Sequence, residues 1–132
     1  MIGIDTNILV RYLVQDDEAQ AEAASRFIET ALSTQCPGFI NVIVLCELVW
    51  VLEDRYSYSR RQIAPVMKKI LASEELVVET RALVVKTVEA YRAGTADFAD
   101  GLIGWINQDA GCDSTVTFDK KAARFPTHRL LE

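Results

Sequence analysis

The sequence lacks an excess of basic residues. Its 132 residues include 14 Lys or Arg and 19 Asp or Glu, which gives a formal net charge of −5. Proteins that bind nucleic acid through bulk basicity carry a positive field, so the composition argues against that class. Any contact with nucleic acid has to be local or bridged by cations.

Cysteine and histidine are also scarce. Cys36, Cys46 and Cys112 are odd in number and show no CxxC spacing, which argues against a disulfide framework and fits a reducing cytoplasm. His128 is the only histidine. A single imidazole argues against a Ser-His-Asp triad and against a ribonuclease that uses two histidines.

Long apolar runs are missing as well. The longest, Val42 to Leu52, is interrupted by Glu47 and is too short to span a bilayer. The N-terminus has no basic segment followed by an apolar stretch, and no repeat or linker divides the chain. We therefore expect an unprocessed cytoplasmic protein without a membrane span, folded as one domain over residues 1–132.

Short apolar segments alternate with amphipathic ones along the chain. Asn41 and Thr80 are predicted to cap helices, and Ser59 and Gln62 have the spacing of a capping box ahead of a helix that contains Pro65. The pattern predicts strands at 2–5, 38–41, 76–78, 114–117 and 129–131, with helices at 6–13, 16–31, 41–52, 59–70, 80–91, 97–110 and 120–124. Parallel strands need helical crossovers, so the predicted fold is a three-layer α/β/α sandwich with a central, mainly parallel sheet.

Acidic residues fall where ligands bind in such a sheet, at the carboxyl ends of the strands. Asp5 ends the first strand, Asp119 follows the fourth, Glu47 lies in the helix after the second, and Asp97 and Asp100 begin a later helix. Two carboxylates at about 4 Å repel by roughly 4 kcal/mol at an effective dielectric of 20. A divalent cation removes that penalty, and hard oxygen ligands favour Mg²⁺ or Mn²⁺. The inventory therefore favours metal-assisted hydrolysis.

Each acid also has a structural interpretation. Asp5 and Asp97 could be helix caps, Asp119 a plain loop residue, and Glu47 could be a buried charge paired with an arginine. Three further polar residues could either cap helices or hydrogen-bond the carboxylates, namely Thr6, Asn7 and Thr117.

Basic and aromatic side chains leave similar alternatives. Some basic residues could meet phosphates around the acids or could simply be solvated surface: Arg11, Arg60, Arg61, Lys120, Lys121 and Arg124. Tyr12, Trp50 and Trp105 have helical spacing and favour core or dimer contacts over base stacking.

Four segments together resemble the PIN domain, and within it the VapC toxins of type II toxin–antitoxin pairs. They are IDTN with Asp5, VLCELVWVL with Glu47, DFADGLI with Asp100, and TFDKKAARF with Asp119. Their order and spacing, rather than any one motif, carry the resemblance. Asp97 matches an additional acid of many members and Thr117 matches a threonine two residues before the fourth acid, whereas Gly101 replaces a more usual alanine.

The resemblance implies a Mg²⁺- or Mn²⁺-dependent endoribonuclease in which Asp5, Glu47, Asp100 and Asp119 hold the metal. It also implies a homodimer that is inhibited by a VapB-type antitoxin. Water rather than the 2′-hydroxyl would attack, leaving 5′-phosphate and 3′-hydroxyl ends. Two alternatives stay open, a non-catalytic binding module of the same fold and a metal-dependent phosphatase. The phosphatase would require a second aspartate where this chain has Asn7.

Overall fold

The computed structural model describes residues 1–132 as an α/β protein with parallel strands. Strands β1 (Ile2–Gly3), β2 (Gly38–Ile40) and β3 (Leu76–Val78) form one sheet in the order β1-β2-β3. Gly38 of β2 is in register with Ile2 on one side and with Leu76 on the other. Strands β4 (Thr115–Thr117) and β5 (His128–Leu130) pair in a second parallel sheet.

Six α-helices connect these strands, close to the predicted positions. They are α1 (Thr6–Val14), α2 (Glu18–Arg26), α3 (Val42–Asp54), α4 (Arg60–Ala72), α5 (Arg81–Arg92) and α6 (Phe98–Asp109). A π-helical turn, Phe27–Ala31, continues α2, and a 3₁₀ turn, Ala122–Arg124, precedes β5. The α/β class and the parallel strand direction are confirmed.

Local capping explains where two helices begin. The Asn41 side chain accepts a hydrogen bond from the Val44 amide at the start of α3. Ser59 and Gln62 form both bonds of the predicted capping box at the start of α4, and Pro65 lies inside that helix. The prediction for Thr80 was wrong: it precedes α5 with a φ of 45° and its side chain makes no capping bond.

One apolar core joins the sheet of β1, β2 and β3 to the helices around it. Helix α3 contributes the most to this core, through Val44, Leu45, Leu48, Val49 and Leu52. Its outward face carries Ile43, Glu47 and Trp50, with Trp50 63% exposed. Of the two contacts expected for Trp50, core or dimer, this exposure excludes the core, and the sequence could not choose between them because a helix that is apolar on every side does not reveal which face is buried.

The strands form two separate sheets, where the sequence predicted one central sheet. The β4–β5 pair is attached through α6, where Gly104 lets β5 approach. A Cβ at Gly104 would lie 1.9 Å from the Thr127 hydroxyl oxygen and 2.8 Å from a carbon of the His128 ring.

No helix of the chain is both long and apolar enough to cross a membrane.

Candidate active site

The first group of predicted site residues lies where β1 gives way to α1. Asp5 is the exposed N-cap of α1, and its Oδ1 accepts a hydrogen bond from the Thr6 amide at 2.8 Å. The buried Thr6 hydroxyl donates to Glu47 Oε1 at 2.7 Å. This bond links the start of α1 to α3 across 41 residues of sequence. Thr6 thus orients the Glu47 carboxylate without neutralising it.

Glu47 is exposed on the outer face of α3, so the alternative of a buried charge paired with an arginine is wrong. Its partner is the neutral Thr6 hydroxyl. Asn7, the next residue of α1, is also exposed and lines a cleft of about 300 Å³ between α1 and α2.

The second group gathers at the start of α6. Burial raises the pKa of the half-buried Asp100 carboxyl, and repulsion from the Asp97 and Asp119 carboxylates raises it further. His128 and Lys121 oppose this shift in pKa. The topology therefore brings three acids from two distant segments within electrostatic reach of one another.

Asp97 stands at the N-cap position of α6, but its side chain makes no capping bond. Its Oδ1 instead accepts from an Arg60 guanidinium nitrogen at 2.8 Å and lies 3.4 Å from Lys121 Nζ. The capping interpretation of Asp97 is therefore wrong. Two cations already neutralise this carboxylate, unlike that of Glu47.

The turn after β4 holds Asp119 through three hydrogen bonds. The Asp119 amide donates to the Thr117 hydroxyl at 3.0 Å. Asp119 Oδ1 accepts from the amides of Lys121 at 2.8 Å and Ala122 at 3.3 Å. Thr117 thus positions the backbone of Asp119, as a supporting residue would.

Helices α3 and α6 pack against each other. A cleft of about 430 Å³ runs between them and includes Trp50 and Glu53 of α3 together with Asp97 and Asp100 at the start of α6. No three His, Cys, Asp or Glu side chains are grouped closely enough to hold a metal ion. Asp97 and Asp100 thus line this cleft, whereas Asp5, Glu47 and Asp119 do not, and the acids do not form a ligand shell.

The donor chemistry nevertheless fits a hard divalent cation. The four acids that the resemblance singles out each keep at least one carboxylate oxygen without a hydrogen-bond partner. These oxygens belong to Asp5, Glu47, Asp100 and Asp119. Oxygen ligands of this kind suit Mg²⁺ or Mn²⁺ rather than Zn²⁺.

The basic residues have different surroundings. Arg11 donates to Gln20 and Asp16, and so is held within the α1–α2 surface. Lys120 and Arg124 are exposed next to Asp119 and form no ion pair or side-chain hydrogen bond, whereas Lys121 lies near Asp97. Of the basic residues named for phosphate contact, Lys120 and Arg124 after β4 and Arg61 on α4 are exposed and have no charged partner.

Sequence reasoning missed the role of Arg60. Its guanidinium donates to the carbonyls of Tyr91 at 2.9 Å and Ala96 at 2.7 Å, and it lies 4.5 Å from the Tyr91 ring centroid. Together with the bond to Asp97, these contacts hold the segment between α5 and α6. No local pattern in the sequence connects residue 60 with residues 91–97, so only tertiary structure could reveal this contact.

Comparisons with known proteins agree with this arrangement. The PIN domain family matches residues 2–127 of the chain. A VapC ribonuclease from Aquifex aeolicus (strain VF5) is 26% identical over 118 residues, covering 89% of this chain and 87% of that protein. No solved structure gives a significant match. The resemblance drawn from the four acidic segments is thereby confirmed, and the chain belongs to the PIN domain family.

Proposed function

We propose that the protein is a metal-dependent endoribonuclease, the toxin component of a toxin–antitoxin pair, and that residues 1–132 act as one PIN domain. The observation that carries this proposal is the position of four acids with free carboxylate oxygens around the end of β1, the outer face of α3, the start of α6 and the turn after β4. The similarity to a VapC ribonuclease supports RNA as the substrate.

Mg²⁺ or Mn²⁺ would be held by Asp5, Glu47, Asp100 and Asp119. When bound, the ion supplies positive charge to the scissile phosphate and lowers the pKa of water, so that water can attack at neutral pH. It also makes the local field attractive to a polyanion, which the net charge of −5 alone would repel.

The surrounding residues have positioning roles in this proposal. The Thr6 hydroxyl fixes one oxygen of Glu47 and leaves the other free. The Thr117 hydroxyl anchors the amide of Asp119. Asp97 is committed to Arg60 and Lys121, so we assign it to holding the start of α6 rather than to binding metal.

The proposal is tested with Asp5→Asn and Asp100→Asn, which keep the shape of each side chain and remove its charge. Both variants should lose Mn²⁺ affinity, measured by calorimetry, and should cleave labelled RNA more slowly by at least about 10-fold, since a missing ligand should cost no less than a missing supporting residue. Asp109→Asn, at the opposite end of α6, is the matched control. Unchanged metal affinity and cleavage in both site variants would defeat the assignment, and products with 2′,3′-cyclic phosphate would refute attack by water.

The same assay separates the two alternatives. A non-catalytic binding module would leave RNA intact with or without Mg²⁺. A phosphatase would release phosphate from small esters and leave internal phosphodiester bonds uncut.

A homodimer is part of the proposal. It is supported by the outer face of α3, where Ile43 is 68% and Trp50 63% exposed on the same side of the helix, since several exposed apolar groups on one face are a feature of contact surfaces. Sedimentation should show a dimer at micromolar concentration that Trp50→Glu shifts toward monomer. A monomer in the unmodified protein would count against it.

We also propose a VapB-type antitoxin as protein partner and a reducing, cytoplasmic location. The first is supported by the similarity to a VapC protein, and the second by three cysteines that form no disulfide. Co-expression with the neighbouring open reading frame should give a co-purifying complex with suppressed cleavage, and free cleavage in its presence would contradict the partnership.

A further inference from the structure

Phe118 lies in an unusual environment for a phenylalanine. It is 79% exposed, more than any other large hydrophobic residue, whereas Phe98 and Phe125 are 2% and 4% exposed. It occupies the position between Thr117 and Asp119, immediately after β4. An open aromatic ring beside a proposed catalytic acid requires an explanation that packing does not supply.

The backbone around the ring is fixed. The bonds from the Asp119 amide to Thr117 and from the Lys121 amide to Asp119 hold the turn on both sides of Phe118. The Asp119 carbonyl also accepts from the Ala123 amide at 3.0 Å, and Ala122 is buried. A ring carried on so constrained a turn loses little conformational freedom when it binds a flat partner.

The segment that carries the ring is basic, although Asp97 and Asp100 lie within electrostatic reach of its Asp119. Residues 115–130 include four Lys or Arg and one acid, in a chain whose net charge is −5. Lys120 and Arg124 are exposed and unpaired. Open aromatic rings combined with free cations are the combination by which proteins bind single-stranded nucleic acid, the ring stacking on a base and the cations meeting phosphates.

We infer that Phe118 is a stacking platform for one unpaired nucleobase of the RNA substrate, with Lys120 and Arg124 on the adjoining phosphates. The inference rests on the proposed function and names the side chains that would contact an unpaired part of the RNA. A base in a duplex is stacked between its neighbours and cannot lie on the ring, so duplex RNA is excluded from this contact.

Binding is measured by the anisotropy of a labelled 12-nucleotide single strand of mixed sequence, in EDTA, where no cleavage occurs, and again in Ca²⁺, which supplies a divalent charge to oxygen ligands. Phe118→Leu keeps an apolar side chain and removes the ring, so it should weaken binding about 5- to 100-fold, the range for loss of one stacked base. Phe118→Tyr keeps the ring and should bind like the unmodified protein. Equal binding by Phe118→Leu would overturn the inference.

Salt dependence separates stacking from charge. Lys120→Gln should reduce the slope of log affinity against log salt by about 0.7, the value for one contact to a single strand. Phe118→Leu should leave that slope unchanged, because the ring displaces no counterion. A changed slope in Phe118→Leu would show that the turn itself had moved and would contradict a local stacking role.

A spectroscopic readout tests the contact directly. Both native tryptophans, Trp50 and Trp105, are first replaced by Phe. In that background the fluorescence of Phe118→Trp should be quenched when the single strand is added, whereas that of Val85→Trp, on the outer side of α5, should not. Absence of quenching at position 118 would overturn the contact. A shift from dimer to monomer in Phe118→Leu, with unchanged RNA binding, would also overturn it, because the ring would then contact a second copy of the chain.

The outcomes distinguish this inference from the proposed function. RNA cleavage in Mg²⁺ with binding that is insensitive to Phe118 would retain the nuclease and discard the platform. Ring-dependent binding without cleavage in any divalent metal would retain the platform and discard the nuclease.

Discussion

The molecule contains two groups with the same three residue types, each an arginine, an aspartate and a tyrosine, but with different partners. In the first, Arg11 donates to Asp16 at 2.8 Å and the Tyr56 hydroxyl donates to Asp16 at 2.7 Å. In the second, Arg60 donates to Asp97 at 2.8 Å and also to the carbonyls of Tyr91 and Ala96. In the second group, therefore, the arginine also binds backbone carbonyls, whereas in the first it binds only side chains.

The difference shows that the exposed fraction of an arginine side chain does not by itself indicate how much the arginine contributes to stability. The side chains of Arg11 and Arg60 are 26% and 27% exposed. Water can replace the side-chain partners of Arg11, but Ala96 is buried and its carbonyl has no other donor. We conclude that the Arg60 group fixes the start of α6, next to Asp100, whereas the contacts of the Arg11 group join only side chains on the surface of α1.

Replacing Arg60 gives the largest expected effect. Arg60→Met keeps the length of the side chain but removes its bonds to two carbonyls and to Asp97, so the free energy of unfolding should fall by about 2–3 kcal/mol, because a buried acceptor is left unpaired. Urea denaturation measures the change. Arg61→Met, at the exposed neighbouring position, should stay within about 0.5 kcal/mol of the unmodified protein. Equal losses in the two variants would erase the distinction between the groups.

The sequence revealed those parts of this architecture that depend on local chemistry. Asn41 and Ser59 began helices as predicted because capping is decided within four residues. Asp5 and Asp119 lie two residues after β1 and β4, close to the strand ends where they were predicted, because strand ends can be read from apolar runs. Each of these features needs only a short window of sequence.

The features that were missed depend on contacts between distant segments. Arg60 meets residues 31 to 37 positions away, and Thr6 meets Glu47 across 41 positions. The exposed face of α3 was not predicted either, because its apolar residues surround the helix and only packing selects the buried side. The division into two sheets likewise follows from strand pairing, which periodicity does not specify.

Replacing Arg11 should have a smaller effect than replacing Arg60. Arg11→Met removes a surface ion pair, and such pairs contribute up to about 1 kcal/mol because solvent and salt screen them. The loss should also shrink between low salt and 1 M NaCl, where the screening length is about 3 Å. Urea denaturation at both salt concentrations measures it. A loss equal to that of Arg60→Met, or one that salt does not change, would contradict the comparison.

The smallest effect concerns the titration of Asp16. The Tyr56 hydroxyl and, after it, Arg11 lower the pKa of the Asp16 carboxyl. A lowered pKa in the folded state means that the contribution to stability is present above the ordinary pKa of an aspartate and disappears as the pH falls through the lowered value. Tyr56→Phe removes the larger of these two influences, so the pKa of Asp16 should rise toward its ordinary value, followed by NMR of the carboxyl carbon. Tyr58→Phe is the control because the Tyr58 hydroxyl does not contact Asp16. If the pKa of Asp16 were equal in the two variants, the charge of Arg11 rather than the Tyr56 hydroxyl would set this pKa.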